Sequence, residues 1–211
     1  MKNTAPNRAN PLLKLAAAAG LAMPVLFGAV LGGLTLLQYD FMRSLGWSPL
    51  AAPTFDWPSG LALGPWGWLM TATFVLSGLL TGLFGLGLRW ALAGLPAGKA
   101  AGGLLVLAGL AMVCLASPTD PTLRTTPATL TGNIHDLAYV ALGLTLFPAI
   151  LLCGWAFRRA AFWRSLAGFT WLAAGLSIPA FALKGIAIYL FLVVILSWGV
   201  AAAWRLWRAA A

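Results

Sequence analysis

Charged side chains are scarce in this chain. Only 8% of its 211 residues are Asp, Glu, Lys or Arg, whereas about a quarter of a typical soluble domain is charged. Hydrophobic residues make up 61% of the sequence, and the mean hydropathy is +0.91. A chain of this composition cannot present a water-compatible surface, so a soluble globular protein is excluded and an integral membrane protein is predicted.

Histidine and cysteine are also scarce, with one His and two Cys. A single histidine, His135, excludes a bis-histidine haem protein, and the spacing of the carboxylates does not favour a four-ligand zinc site. Cys114 and Cys153 fall near opposite ends of successive apolar stretches, beyond the reach of about 7 Å between the Cα atoms of a disulfide. We therefore expect two free thiols, no metal and no cofactor.

Ionisable side chains are missing from the middle of every apolar stretch. Ion-coupled pumps and transporters usually keep such groups near the membrane midplane, so their absence argues against this mechanism. The sequence also has no phosphate-binding glycine loop and no serine nucleophile elbow. The net charge of +9 comes from basic residues spread between apolar stretches rather than clustered in a patch, which argues against nucleic-acid binding.

Six apolar stretches are each long enough to cross a bilayer as a helix. They cover approximately residues 12–38, 64–88, 99–117, 137–157, 163–183 and 186–205. The sequence therefore predicts an all-α, six-helix transmembrane bundle. We expect residues 1–11 to form an N-terminal segment and residues 12–208 a single domain with two longer connections, 39–63 and 118–136.

Small and cyclic residues within these stretches predict features of helix packing. The glycine pairs Gly28/Gly32 and Gly78/Gly82 have the four-residue spacing that lets neighbouring membrane helices approach closely. Three prolines are expected to kink or break their helices: Pro24, Pro148 and Pro179.

The basic residues predict the orientation of the bundle. Ten of them, with no acid, fall on the side that carries both termini and the second and fourth connections. The other side has all four acids of the protein: Asp40, Asp56, Asp120 and Asp136. Because Lys and Arg accumulate in cytoplasmic loops, we expect both termini to be cytoplasmic and the two longer connections to face outward.

Two polar segments flank the third connection, Ser117-Pro118-Thr119-Asp120-Pro121 and Gly132-Asn133-Ile134-His135-Asp136. A histidine beside carboxylates at an apolar–water boundary is typical of a general base, since a carboxylate holds its tautomer and raises its basicity. This makes Asp120, His135 and Asp136 candidate catalytic residues. Four more side chains are candidate ligand-binding residues at the same outer mouth: Asp40, Arg43, Arg124 and Lys184.

A purely structural interpretation of the same residues stays open. Asp120 before Pro121 is a common way to leave a helix. Asn133 is then the cap of the fourth span, with Asp136 in its first turn, where it favours the helix dipole. On this interpretation His135 only hydrogen-bonds a backbone carbonyl.

The order of several motifs resembles the bacterial domain-of-unknown-function family 998. They are Tyr39-Asp40, Gly64-Pro65-Trp66-Gly67-Trp68, Pro118-Thr119-Asp120-Pro121 and Gly132-Asn133-Ile134-His135-Asp136-Leu137-Ala138. The resemblance implies a six-helix membrane protein of the bacterial cytoplasmic membrane with no established reaction. It matches the polar positions of the family at Tyr39, Asp40, Asp120, Gly132 and His135.

One departure from the family pattern concerns the start of the sixth span. Family members often have a Gln-Arg or Glu-Arg pair there, but this chain has Gly185-Ile186-Ala187-Ile188-Tyr189, preceded by Lys184. If that pair completes a site in relatives, this protein has altered it.

Three functions fit the sequence. The first is a non-enzymatic subunit that binds other membrane proteins, which the motif-poor spans favour. The second is a lipid-processing or lipid-binding protein that acts at the outer leaflet through the Asp/His cluster and requires a cavity between helices there. The third is a channel-like facilitator, which the lack of a polar stripe disfavours. Membrane lipids are the expected partners in each case, and nucleic acid is not.

Overall fold

The computed structural model describes residues 10–49, 57–120, 128–183 and 185–210 of the chain. Every regular element within these ranges is helical. Seven α-helices follow one another: α1 Pro11–Leu37, α2 Tyr39–Ser44, α3 Gly67–Ala91, α4 Pro96–Cys114, α5 Leu130–Arg159, α6 Ala167–Leu183 and α7 Ala187–Ala210. Two 3₁₀-helices, Ser59–Leu63 and Ala161–Leu166, precede α3 and α6.

Six of these helices are long and apolar enough to cross a membrane. They are α1, α3, α4, α5, α6 together with the 3₁₀-helix before it, and α7. The predicted six-helix membrane fold is therefore confirmed. The orientation of the bundle stays a prediction.

The start of α5 differs from the prediction. The helix begins at Leu130 rather than near residue 137, because Thr129 caps it: the Thr129 hydroxyl accepts a hydrogen bond from the Gly132 amide at 3.0 Å. The expected cap at Asn133 and the expected first-turn position of Asp136 are both wrong. Residues 130–136 are mostly polar, so the apolar pattern of the sequence did not indicate that they are helical. A helix end that extends beyond its apolar span need not be apolar.

The prolines within the spans do not break them. The helices α1, α5 and α6 continue through Pro24, Pro148 and Pro179 respectively. A proline removes one backbone hydrogen bond, but membrane helices tolerate this where neighbouring helices pack against the site. Of the two expected effects, a break is therefore wrong at these three positions, and a kink stays a prediction.

The six long helices form a closed ring. Each packs against the next along the chain, in the order α1, α3, α4, α5, α6 and α7, and α7 returns to pack against α1. Short connections explain the contacts of α3 with α4, of α5 with α6 and of α6 with α7. The contacts of α1 with α3 and of α4 with α5 form across the two longer connections, and the contact between α7 and α1 closes the ring. This arrangement leaves a central space that all six helices surround.

Glycines bring α3 and α4 close together. A Cβ atom at Gly78 would lie 2.5 Å from the Gly109 carbonyl oxygen, and one at Gly109 would press on the Gly78 carbonyl oxygen. The predicted close approach is therefore present at Gly78. A Cβ at Gly82, Gly28 or Gly32 would meet nothing within 4 Å.

Candidate functional site

A cavity of about 150 Å³ occupies the centre of the ring. Its mouth lies at the end of the bundle where α1 ends and α5 begins, which we call the histidine end. Trp57, Ser59, His135 and Tyr189 line the mouth, and Trp198 lies at the far end. Tyr189 and Trp198 are nine residues apart on α7, so the cavity extends about 14 Å into the bundle.

The walls of the cavity are apolar. All six long helices contribute to them, mainly through Phe, Leu, Ile and Met side chains. The indole N–H of Trp198 donates to the Thr170 hydroxyl at 3.2 Å, so it is satisfied away from the cavity. One polar side chain lies deep in the wall: Thr81 is 8% exposed, and its buried hydroxyl has no hydrogen-bond partner within the described part of the chain.

His135 is buried at the mouth, with 5% of its surface exposed. Its Nδ1 lies 2.8 Å from the Ser117 carbonyl oxygen and its Nε2 lies 2.8 Å from the Ser59 hydroxyl. A carbonyl only accepts hydrogen bonds, so Nδ1 carries the proton in the neutral ring. Nε2 is then an acceptor, and the Ser59 hydroxyl donates to it.

Gln38 holds Ser59 in place, although the two residues are far apart in sequence. The buried Gln38 amide donates to the Leu61 carbonyl oxygen at 3.0 Å and accepts from the Trp66 amide at 3.0 Å. It thereby ties the end of α1 to both the 3₁₀-helix that begins at Ser59 and the start of α3. Gly64 fits beside it because a Cβ at that position would overlap the Gln38 side chain.

Asp120 stabilises the start of α5 rather than the cavity. Its carboxylate accepts hydrogen bonds from the Thr129 hydroxyl at 2.5 Å and the Thr129 amide at 3.1 Å. These bonds, the hydroxyl first, hold the pKa of Asp120 below its usual value. The carboxylate also covers Gly132, where a Cβ would overlap it.

The remaining candidate residues are dispersed. Asp136 is exposed and lies at the cavity mouth, next to His135 in the chain. Asp40 and Arg43 are exposed on α2, and Arg43 donates to the Trp47 carbonyl oxygen at 3.2 Å. Arg124 and Lys184 lie outside the described residues. Of the described candidates, only His135 and Asp136 line the cavity.

The expected histidine–carboxylate pairing is wrong. The partner that sets the tautomer of His135 is the Ser117 carbonyl oxygen, as the structural interpretation of the sequence held, and its second partner is Ser59. Sequence reasoning missed both Ser59 and Gln38. Gln38 had a usable signal, since it is an uncharged polar residue at the end of an apolar span, but Ser59 lies in a Pro/Ser/Gly segment that carries none.

Among the described residues, no three His, Cys, Asp or Glu side chains come together in a group able to hold a metal ion. Both cysteines are free, Cys153 buried and Cys114 exposed. The groups available for chemistry at the mouth are therefore the hydroxyls of Ser59 and Tyr189, the imidazole of His135 and the exposed carboxylate of Asp136.

These features define a multi-pass helical membrane protein with an apolar central cavity that is polar only at its mouth and at one threonine. The family described as protein of unknown function (DUF998) matches residues 16–206. The chain belongs to this family, as its motifs suggested. Comparison with curated proteins and comparison with solved structures found no match.

Proposed function

We propose that this protein binds a membrane lipid, with one hydrocarbon chain in the central cavity and the polar head at the histidine end. The observation that carries the proposal is the shape and chemistry of the cavity. Its walls are apolar, whereas hydrogen-bonding groups gather at its mouth: Ser59, His135, Asp136 and Tyr189. Ligand sites of this type use apolar walls for affinity and a few polar groups for orientation.

The size of the cavity favours a single narrow chain. A cavity of about 150 Å³ lined by apolar side chains is large enough to hold benzene. The central cavity has about this volume but is elongated, since it extends about 14 Å along α7. A hydrocarbon chain has this elongated form, whereas a fused ring system or a lipid with both chains inside would not fit.

The aromatic side chains Tyr139 and Phe181 offer a route from the bilayer. They stack with ring centroids 4.2 Å apart, and the Tyr139 hydroxyl donates to the Phe181 carbonyl oxygen at 2.8 Å. This pair lines the central cavity on one side and a groove between α5 and α6 on the other. Rotation of the Phe181 ring would connect the cavity to the surrounding lipid.

Native mass spectrometry of the protein, extracted gently from its own membrane, tests the proposal. The informative variant is Ala108→Phe, since Ala108 is fully buried and lines the cavity. The matched control is Leu107→Phe on the same helix, where the side chain is half exposed on the outer face.

We expect the wild type and Leu107→Phe to retain a lipid at about one copy per protein. Ala108→Phe should retain at most a tenth of that amount, because the new ring occupies the space of the chain. Equal lipid retention by Ala108→Phe and Leu107→Phe would overturn the proposal, and so would a wild type without any bound lipid. Thermal unfolding of each variant establishes that it is folded.

A second candidate function is a subunit of a membrane complex. It is supported by the outer face of α1, where Gly28 is partly exposed, Gly32 four residues later is exposed, and a Cβ at either would meet nothing within 4 Å. Small residues at this spacing let another membrane helix approach. In the same mass spectra, a protein partner at fixed stoichiometry that Gly32→Leu removes would favour this function, and a monomer would count against it. No observation on the described residues favours a channel-like facilitator.

A further inference from the structure

Ser59 and His135 have the arrangement of a nucleophile and its base. From it we infer that Ser59 is the nucleophile of an acyl-transfer reaction on an ester-linked lipid. This inference rests on the proposed lipid binding, and it adds a reaction and a substrate class to it. It assigns Ser59, which the motifs of the sequence did not single out.

Two hydrogen bonds with a defined direction carry the inference. The Ser59 hydroxyl donates to Nε2 of His135 over 2.8 Å, and Nδ1 of His135 donates to the Ser117 carbonyl oxygen over 2.8 Å. A hydroxyl within hydrogen-bond reach of a base, with the base oriented by a third group, is the signature of an activated nucleophile. The Ser117 carbonyl takes the orienting role that a carboxylate has in the Ser-His-Asp triad.

The surroundings of the pair suit this role. His135 is 95% buried, and Phe74 packs edge-on against its ring at 6.4 Å between centroids. Burial limits the access of water to the Nε2–hydroxyl bond, which strengthens it. Ser59 is partly buried and lines the cavity, so its oxygen remains accessible to a bound molecule.

The position of the pair selects the bond that reacts. Ser59 and His135 lie at the mouth, where the apolar wall gives way to polar groups. In an ester-linked lipid, the ester carbonyl joins the hydrocarbon chain to the polar head. A lipid bound with its chain in the cavity and its head at the mouth therefore brings the ester carbonyl to the level of Ser59.

The reaction follows from these atoms. Ser59 Oγ attacks the ester carbonyl carbon while its proton moves to Nε2, and the carbonyl π electrons move onto the carbonyl oxygen. Collapse of this intermediate breaks the bond to the alcohol oxygen, which leaves with the proton from Nε2. The acyl group is then on Ser59. Water or a second alcohol attacks it in the same way, gives its proton to Nε2 and releases the acyl product, and Ser59 recovers its proton.

An alkyl fluorophosphonate tests this directly, because it reacts with an activated serine to form an Oγ–phosphorus bond with loss of fluoride. The full-length protein in nanodiscs is incubated with the probe, and the adduct is measured by intact mass. We expect one adduct on the wild type, none on Ser59→Ala, and a rate lowered at least about 100-fold in His135→Gln, since a general base contributes about that much or more.

The control is Ser44→Ala, which removes an exposed serine whose hydroxyl donates to the Phe41 carbonyl oxygen at 2.7 Å. It should react like the wild type. Fragmentation of the labelled wild type locates the adduct, so the test holds even if Ser59→Ala does not fold. An adduct on any residue other than Ser59 would overturn the inference.

Lipid retention, measured on the same samples, separates the two proposals. If the wild type retains lipid but forms no adduct, the nucleophile is wrong and lipid binding stands. If the wild type retains no lipid, the proposed function fails and the inference fails with it. A Ser59→Ala variant that retains lipid and loses the adduct supports both.

Discussion

At the scale of single residues, some buried polar side chains of this protein have hydrogen-bond partners, whereas others have none among the described residues. His135 has a partner at each ring nitrogen. Within the described part of the chain, three buried hydroxyls have none: those of Ser77, Thr81 and Ser177. A buried hydroxyl without a partner costs about 1–3 kcal/mol, so these residues are sites where the stability of the protein can be raised.

We predict that Thr81→Val stabilises the lipid-free protein by about 1 kcal/mol. Valine has nearly the same shape as threonine and removes the unpartnered hydroxyl. Thermal unfolding in detergent measures the effect. Thr73→Val is the control, because the Thr73 hydroxyl donates to the Leu69 carbonyl oxygen at 2.7 Å, and it should not stabilise. A lower stability of Thr81→Val than of the wild type would show that its hydroxyl has a partner, such as water.

A second prediction at this scale concerns acid. The hydrogen bonds from Thr129 lower the pKa of Asp120 in the folded state. Its contribution to stability is therefore complete above the ordinary pKa of an aspartate, about 3.9, and is lost as the pH falls through the lower folded-state value. Asp120→Ala should unfold at a lower temperature than the wild type at pH 6, and this difference should shrink below about pH 3.9.

Thermal unfolding between pH 6 and pH 2.5 measures this difference. Asp136→Ala is the control, since it removes an exposed carboxylate of the same charge. A difference between Asp120→Ala and the wild type that stays constant down to the lowest pH would contradict the assigned role of the carboxylate.

At the scale of helices and connections, the same residue type has opposite roles on different helices. Gly109 on α4 lies against the backbone of α3, whereas Gly32 on α1 has open space around it. Both occur in apolar stretches rich in small residues, so the sequence does not distinguish them. Only the positions of the neighbouring helices do.

This contrast yields a matched pair of variants. Gly109→Ala should destabilise the protein by about 1–3 kcal/mol, because α3 and α4 must separate to admit the methyl group. Gly32→Ala should be neutral or stabilise by up to about 1 kcal/mol, since alanine favours a helix more than glycine does. Thermal unfolding of the two variants in the same detergent compares them. Equal effects would contradict the packing described here.

At the scale of the whole molecule, the orientation of the bundle in the membrane is open to a direct test. Ser44 is exposed at the histidine end, and Ala93 is exposed in the turn between α3 and α4 at the opposite end. The distribution of basic residues predicts that the histidine end faces outward. The cavity mouth would then open to the outer leaflet.

In intact cells, a membrane-impermeant maleimide should label Ser44→Cys and not Ala93→Cys. Both variants are made in a Cys114→Ser background, because Cys114 is exposed whereas Cys153 is buried. Permeabilised cells provide the control, in which both variants should react. Labelling of Ala93→Cys alone in intact cells would reverse the predicted orientation.

The sequence by itself determined the class of the protein, the number of spans and the family. These follow from local properties: about twenty consecutive apolar residues suffice for a membrane helix, whatever surrounds it. It also indicated that the two thiols are free and that His135 is a candidate functional residue. The start of α5 could not be predicted in the same way. It consists of a threonine cap and seven residues, five of them polar or glycine, and this composition is typical of a loop.

Only the tertiary structure decided how these parts meet. The packing of α7 against α1 encloses the cavity. Gln38 ties the 3₁₀-helix that begins at Ser59 to the end of α1, and Ser59 hydrogen-bonds His135, which is 76 residues further along the chain. Such contacts between distant residues depend on helix packing and on hydrogen bonds formed by connections. No local pattern in the sequence encodes them, because each partner alone resembles an ordinary polar residue at the end of a helix.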